Sequence, residues 1–181
     1  MKRLALLSLL AAGGLAAVAP AASAQSYNPF QIGASGGIAF PTGDLGNAAN
    51  TGYNVTVAVG YKPQFTPIGV RAEAAYNSFG FQGGGGNVNI PAFTGNLVFG
   101  LPYTSFSPYI IGGAGLYRPS VDFSGTTNTN NAENHFGFNI GGGVKIPFTS
   151  SFETFVEARY NRVTVQGGSL SFIPVTFGVM F

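Results

Sequence analysis

The chain has 181 residues, of which 8% are charged, 45% hydrophobic and 14% aromatic, with 28 glycines, 11 prolines and no cysteine. A soluble domain carries about 25% charged residues, so this composition cannot clothe an ordinary water-facing surface, and 17 Phe with 8 Tyr exclude a disordered chain. The length is that of one domain, and the lack of cysteine excludes disulfide frameworks, thiolate metal sites and cysteine nucleophiles.

Lys2 and Arg3 precede an apolar run over 4–18, followed by Pro20 and the small residues Ala22, Ser23 and Ala24 before Gln25. A basic end, a short apolar stretch that enters the translocon as a helix, and small residues that fit a peptidase make a secretory signal peptide. Cleavage is expected after Ala24, giving a signal segment 1–24 and one mature domain 25–181; the run is too short for an ordinary uncleaved anchor. Without Lys2 and Arg3 the eight basic residues fall to six, matching six acidic ones. The mature chain is therefore neutral and offers nucleic acid no basic surface.

From residue 31 onward apolar residues recur with period two, the period of a strand whose faces point to opposite sides. Ile32, Ala34, Ile38 and Phe40 alternate with Gln31, Gly33, Ser35 and Gly37. Tyr53, Val55, Val57, Val59 and Tyr61 alternate with Asn54, Thr56, Ala58 and Gly60, and Ile68, Val70, Ala72, Ala74 and Tyr76 with Arg71, Glu73 and Asn77. Over 90–101, Phe93, Leu97, Phe99 and Leu101 oppose Ala92, Thr94, Asn96 and Gly100. The segment 108–118 has adjacent Ile110 and Ile111 and three glycines, which leaves its facing open. Phe136, Phe138, Ile140, Val144 and Ile146 oppose His135, Asn139 and Lys145, and Val156, Ala158 and Tyr160 oppose Glu153, Glu157, Arg159 and Asn161. At the end, Ile173, Val175, Phe177, Val179 and Phe181 alternate with Phe172, Pro174, Thr176, Gly178 and Met180.

Each of these eight segments is about ten residues long, enough for a tilted strand to cross a hydrocarbon core. Their connections alternate: 62–66, 102–107 and 148–151 are brief, whereas 42–49, 80–89 and 119–134 are longer and rich in Gly, Asn and Thr. Short periplasmic turns and longer outer loops give this asymmetry in outer-membrane barrels, and an even strand number puts both termini on the periplasmic side. The expected fold is all-β, an eight-stranded antiparallel transmembrane up-and-down β-barrel.

The chain resembles the small eight-stranded outer-membrane barrels of Gram-negative bacteria, in the OmpX, OmpW, OmpA-barrel and opacity-protein style. The terminal segment 172–181 is the most specific element; the run Pro41, Thr42, Gly43, Asp44, Leu45 and the stretch 155–160 are weaker ones. The resemblance implies a bacterial outer-membrane location. It also implies that Ile173, Val175, Phe177, Val179 and Phe181 form the signal read by the barrel-insertion machinery. It implies no activity, because function resides in sites grafted on a fold.

Arg71 and Glu73 share inward parity with Glu157 and Arg159, and the third and seventh strands of an eight-membered ring lie on opposite walls. Facing lipid, each Arg or Lys would cost ~2–4 kcal/mol at the midplane, so these charges must point inward. With Lys145 and Glu153 they are expected to form one crosslinked plug in a lumen just wide enough for side chains. Acid-base catalysis by Glu153 and Glu157 would need a cleft that nothing indicates. A triad would have to draw on His135, the sole histidine, with Asp122 or Asp44 and a serine such as Ser120. One histidine makes a poor transition-metal site, and Asp44, Asp122 and Glu133 attract calcium only if their loops converge. The run Gly83 to Gly86 lacks the Lys of a phosphate loop and reads as a loop tip.

The expectation is a non-enzymatic, cofactor-free and monomeric barrel in contact with outer-membrane lipid. Its loops, chiefly 119–134 with its Asn/Thr run and 80–89, are displayed for envelope integrity, adhesion or an extracellular ligand. The alternative is a narrow porin or a conduit for small hydrophobic molecules, with Pro91, Pro108 and Pro174 as weak points in the wall. A soluble lipid carrier would need a charged exterior for which the sequence has too little charge.

Overall fold

The computed structural model describes residues 28–101, 106–123, 133–147 and 152–181. The expected signal segment, with the expected cleavage residues Ala22, Ala24 and Gln25, lies outside the described residues, as does most of the run 126–134.

The strands are β1 (Phe30–Thr42), β2 (Gly52–Tyr61), β3 (Ile68–Gly80), β4 (Gly86–Gly100), β5 (Ser107–Tyr117), β6 (Ser120–Phe123), β7 (His135–Pro147), β8 (Glu153–Val165) and β9 (Gly168–Met180), with one helix, α1 (Gly43–Ala48), after β1. All pairings are antiparallel. β1 pairs with both β2 and β9, and the ring closes where β3 pairs with β4. Closure leaves no barrel edge, which is how a spanning sheet satisfies its backbone in lipid. The four-residue β6 is no ninth stave: it continues the register of β5 against β4 after an interruption at Arg118 and Pro119. Pro119 lacks an N–H, and so does Pro91, which faces Arg118 across the pair. The eight staves are therefore β1 to β5 and β7 to β9.

Parity along the strands follows the alternation of the sequence. Val55, Val57 and Val59 are each more than 50% exposed on the outside, while Asn54, Thr56 and Ala58 between them are buried. The open face of 108–118 is resolved by burial: Ile110 and Leu116 point outward, and Tyr109, Ile111 and Tyr117 point in. Aromatic residues border the apolar belt at both ends. Phe30 and Tyr61 pack at 5.1 Å and Phe152 and Phe181 at 5.8 Å at the turn end, and Tyr53 and Tyr76 at 6.3 Å at the loop end. The ten residue steps from Phe30 to Phe40 rise ~34 Å along the strand, or ~26 Å along the axis at ~40° tilt; the eight steps from Tyr53 to Tyr61 give ~21 Å. The belt thus matches the ~25 Å apolar band of membrane barrels.

The stretch 42–49, read as a loop, carries α1. Gly43 at φ 58° turns the chain out of β1, and Leu45, only 4% exposed, drops into the barrel mouth. The Gln82 side chain donates to Gly46 O (3.0 Å), the Gln82 N–H to Ala48 O (3.0 Å), and Asn50 Nδ2 to Phe81 O (3.2 Å). These bonds tie α1 to the β3–β4 loop, whose tip turns on Gly83, Gly84 and Gly85, all with positive φ.

Of the three prolines read as weak points, two coincide with interrupted ladders. Pairing of β8 with β9 stops at Ala158–Val175 and resumes at Asn161–Phe172, skipping Pro174, and the break between β5 and β6 faces Pro91. Pro108 stays paired with Val144.

Candidate functional site: the barrel interior

The lumen is filled in layers. Nearest the loops lies an apolar plug in which Phe79 and Phe172 meet edge to face at 5.5 Å, surrounded by Ile90, Val88, Val163 and Tyr117 and covered by Leu45. Alternation delivers Phe172 from β9 and Ile90 from β4 inward, and the long β3 carries Phe79 past the belt to join them.

Below the plug is a belt of buried amides. Asn54 Nδ2 donates to Asn77 Oδ1 (2.8 Å), Asn77 Nδ2 to Ile90 O (3.0 Å), Asn139 Nδ2 to Asn96 Oδ1 (2.9 Å), and Tyr117 Oη to Asn161 Oδ1 (3.0 Å). Beside them is a space of about 30 Å³ bordered by Thr56, Asn77, Tyr117, Glu157 and Arg159, room for a water molecule or two.

At mid-height Arg71, Glu73, Glu157 and Arg159 meet across the lumen. Arg159 grips Glu73 with Nη1 and Nη2, each at 2.6 Å, and Glu157 with Nε at 2.5 Å. Arg71 Nε lies 2.7 Å from Glu73 Oε1, and Arg71 Nη2 donates to Glu157 Oε2. Each guanidinium therefore touches both carboxylates, and each carboxylate both guanidinium groups. Tyr109 Oη adds a bond to Glu157 Oε2 (2.6 Å) and Asn96 Nδ2 one to Glu73 Oε2 (3.0 Å). The guanidinium of Arg71 also lies 5.6 Å from the Phe155 ring centre. Two inward glycines make room: a Cβ on Gly141 would stand 2.7 Å from Arg159 Cγ, and one on Gly143 2.7 Å from the Tyr109 hydroxyl.

Lys145 and Glu153 do not join this ring. They pair with each other at 2.9 Å nearer the turn end, on the wall of a cavity of about 850 Å³ that Gln31, Arg71, Tyr109 and Met180 also line. The six charges expected in one plug thus form a closed four-membered ring and a separate pair. The reason is height: Lys145 and Glu153 lie near the turn-end limits of β7 and β8, several residues below Glu157.

The buried amides and the two tyrosine hydroxyls were not singled out as a network by sequence reasoning. Inward parity of Asn54, Asn77, Asn96, Asn139 and Asn161 was the available signal; the open facing of 108–118 hid Tyr109 and Tyr117.

Of the residues of a possible triad, two bond to Asn89. Ser120 Oγ donates to Asn89 O (3.4 Å), and Asp122 Oδ2 accepts from Asn89 Nδ2 (2.6 Å), while His135 faces Tyr117 in the β5–β7 register. Asp44 is exposed on α1. Among the described residues no three His, Asp or Glu side chains come together as for a metal. On the outer wall Ile173, Val175, Phe177, Val179 and Phe181 share the outward face of the last strand, and Phe181 exchanges two backbone hydrogen bonds with Ile32 (2.8 and 3.1 Å) at the closing seam.

The fold is similar to that of Neisserial surface protein A (TM-score 0.68, 17% identity, covering 86% of this chain and 98% of that one). It is also similar to the outer membrane protein OprG from Pseudomonas aeruginosa (TM-score 0.56, 12% identity, 88% and 99% covered) and to the outer membrane enzyme PagL (TM-score 0.51, 15% identity, 83% and 98% covered). At these identities the likeness is one of fold. No curated protein matches the sequence. The family model of the outer membrane protein beta-barrel domain matches residues 7–181, so a closed eight-stave barrel with an apolar exterior and a filled interior belongs, by sequence as well as by fold, to that outer-membrane family.

Proposed function

We propose that this chain is a non-conducting, non-enzymatic anchor of the outer membrane, exported by a signal segment 1–24 that is removed after Ala24. Both termini face the periplasm, and the connections 42–49, 80–89 and 119–134 are displayed at the cell surface for envelope integrity, adhesion or an extracellular ligand. The observation that carries this reading is the layered interior. An apolar plug and a neutral ring of four charges both cross the lumen, and the space between them is about 30 Å³. A solvated ion needs a continuous aqueous path, and a small barrel filled by its own side chains does not supply one.

Planar-bilayer conductance of the refolded chain 25–181 tests it, with heat-dependent gel mobility as the folding control. Wild type is expected to give no steady current, and so are Arg71→Ala and Glu157→Ala, because the plug remains above the ring. A steady current in wild type that either substitution alters overturns the anchor and makes the protein a small pore.

A conduit for small hydrophobic molecules is the second reading, and the interrupted β8–β9 ladder beside Pro174 favours it. If solutes leave there, Pro174→Val, which restores a backbone N–H, slows uptake of an apolar dye into vesicles; unchanged uptake removes the reading.

A further inference from the structure

Among the outward-facing positions of the eight described staves, Arg162 on β8 is the one charged side chain. It is exposed and has no ion-pair or hydrogen-bond partner among the described residues. Every other charge on these staves is turned into the lumen and compensated there. A guanidinium on the apolar wall with no such partner among the described residues needs a physical reason, and its height supplies one.

Arg162 stands two residues beyond Tyr160, the outward aromatic that borders the belt on β8, whose hydroxyl donates to Ser171 Oγ (3.0 Å). Two residues are ~6.8 Å of strand and ~5 Å of axial rise at ~40° tilt. The headgroup layer is itself about 5–7 Å thick on each side of the hydrocarbon. With Phe138 opposite it and Phe136 still outward two residues further along β7, Arg162 sits at the loop-end rim of the belt, where an outward charge costs little and phosphates are within reach of a long side chain. In the strand registers it lies opposite Phe138 on β7 and Ser171 on β9, so the guanidinium rises from an apolar and hydroxyl floor that offers it no competing carboxylate.

We infer that Arg162 holds a phosphate of a lipid headgroup in the loop-side leaflet, using the planar fork of donors that suits phosphate oxygens. The assignment of that leaflet to the cell surface rests on the orientation proposed above. Vesicles with the same lipid in both leaflets test the site whichever way the barrel inserts, and protease access to the loops in whole cells tests the orientation separately.

The experiment compares unfolding midpoints of the chain 25–181 by heat-dependent gel mobility. The hosts are phosphatidylcholine vesicles, the same vesicles containing phosphatidic acid, and pure phosphatidylcholine with free inorganic phosphate. Wild type is expected to gain about 2–4 °C from phosphatidic acid, the shift that one favourable charge contact gives a barrel of this size. Arg162→Gln is expected to lose most of that gain. Lys62→Gln, at the opposite end of the barrel, is expected to keep it. Because the quantity read is the gain between lipids, a general loss of stability in a variant does not obscure it. The inference is overturned if Arg162→Gln keeps the full gain, if Lys62→Gln loses as much, or if free phosphate alone gives the same shift.

Discussion

Arg71 and Arg159 are each shared between two carboxylates, so no single ion pair in the ring can be removed without leaving a buried charge half-satisfied. Taking four charges out of water is costly, and the gain from pairing offsets that cost only when geometry and added hydrogen bonds are both good, as Tyr109 and Asn96 make them here. Two consequences follow for stability. Glu157→Gln is expected to lower unfolding free energy by ~3 kcal/mol or more, because it strands Arg71 and Arg159 beside one remaining carboxylate. Arg159→Lys keeps the charge but gives up the two-pronged grip on Glu73, and is expected to cost less, ~1–2 kcal/mol. Urea midpoints in one detergent check the order; equal losses for both would mean that the geometry of the fork, and not net charge, sets the stability of the ring.

Among the elements, β9 and α1 mark the two extremes of what a sequence can disclose. β9 alternates without a break from Phe172 to Met180, and the outward staves are legible for the same reason: in lipid, each inward–outward choice is enforced at every position. The ring of four charges was legible too, since parity plus the opposition of the third and seventh staves places Arg71 and Glu73 against Glu157 and Arg159. β5 was not, because Ile110 and Ile111 are both apolar and only burial separates them. α1 was invisible: six residues with two glycines have little helical propensity, and the turn holds through Leu45 in the plug and bonds from Gln82. The helix should therefore be separable from the barrel. Leu45→Asp is expected to unseat it and expose 43–48 to added protease, while heat-dependent mobility of the barrel persists and conductance stays silent because the ring of charges below is intact. Loss of the folded band in this variant would show instead that the plug and its cover are required for closure.

On the scale of the whole molecule, charge and hydrophobicity are sorted radially and also along the axis. The exterior is apolar over about 21–26 Å and bordered by aromatics, a span at the lower end of what ordinary bilayers present. A barrel cannot tilt away a mismatch as a single helix can, since its staves are fixed to one another, so the bilayer has to deform. The bacterial outer membrane is thinner than average, and the belt is matched to that condition. Refolding of the chain 25–181 from urea is thus expected to be faster and more complete in dilauroyl- than in dioleoyl-phosphatidylcholine vesicles, followed by heat-dependent gel mobility. Shortening the belt by Phe30→Ser and Phe181→Ser at the turn-end seam should widen the difference, because both remove aromatic contacts from one rim and Phe181 also packs on Phe152. Equal yields in the two lipids, with no added penalty for the double variant in the thicker one, would mean that the aromatic rims do not set the depth at which this barrel sits.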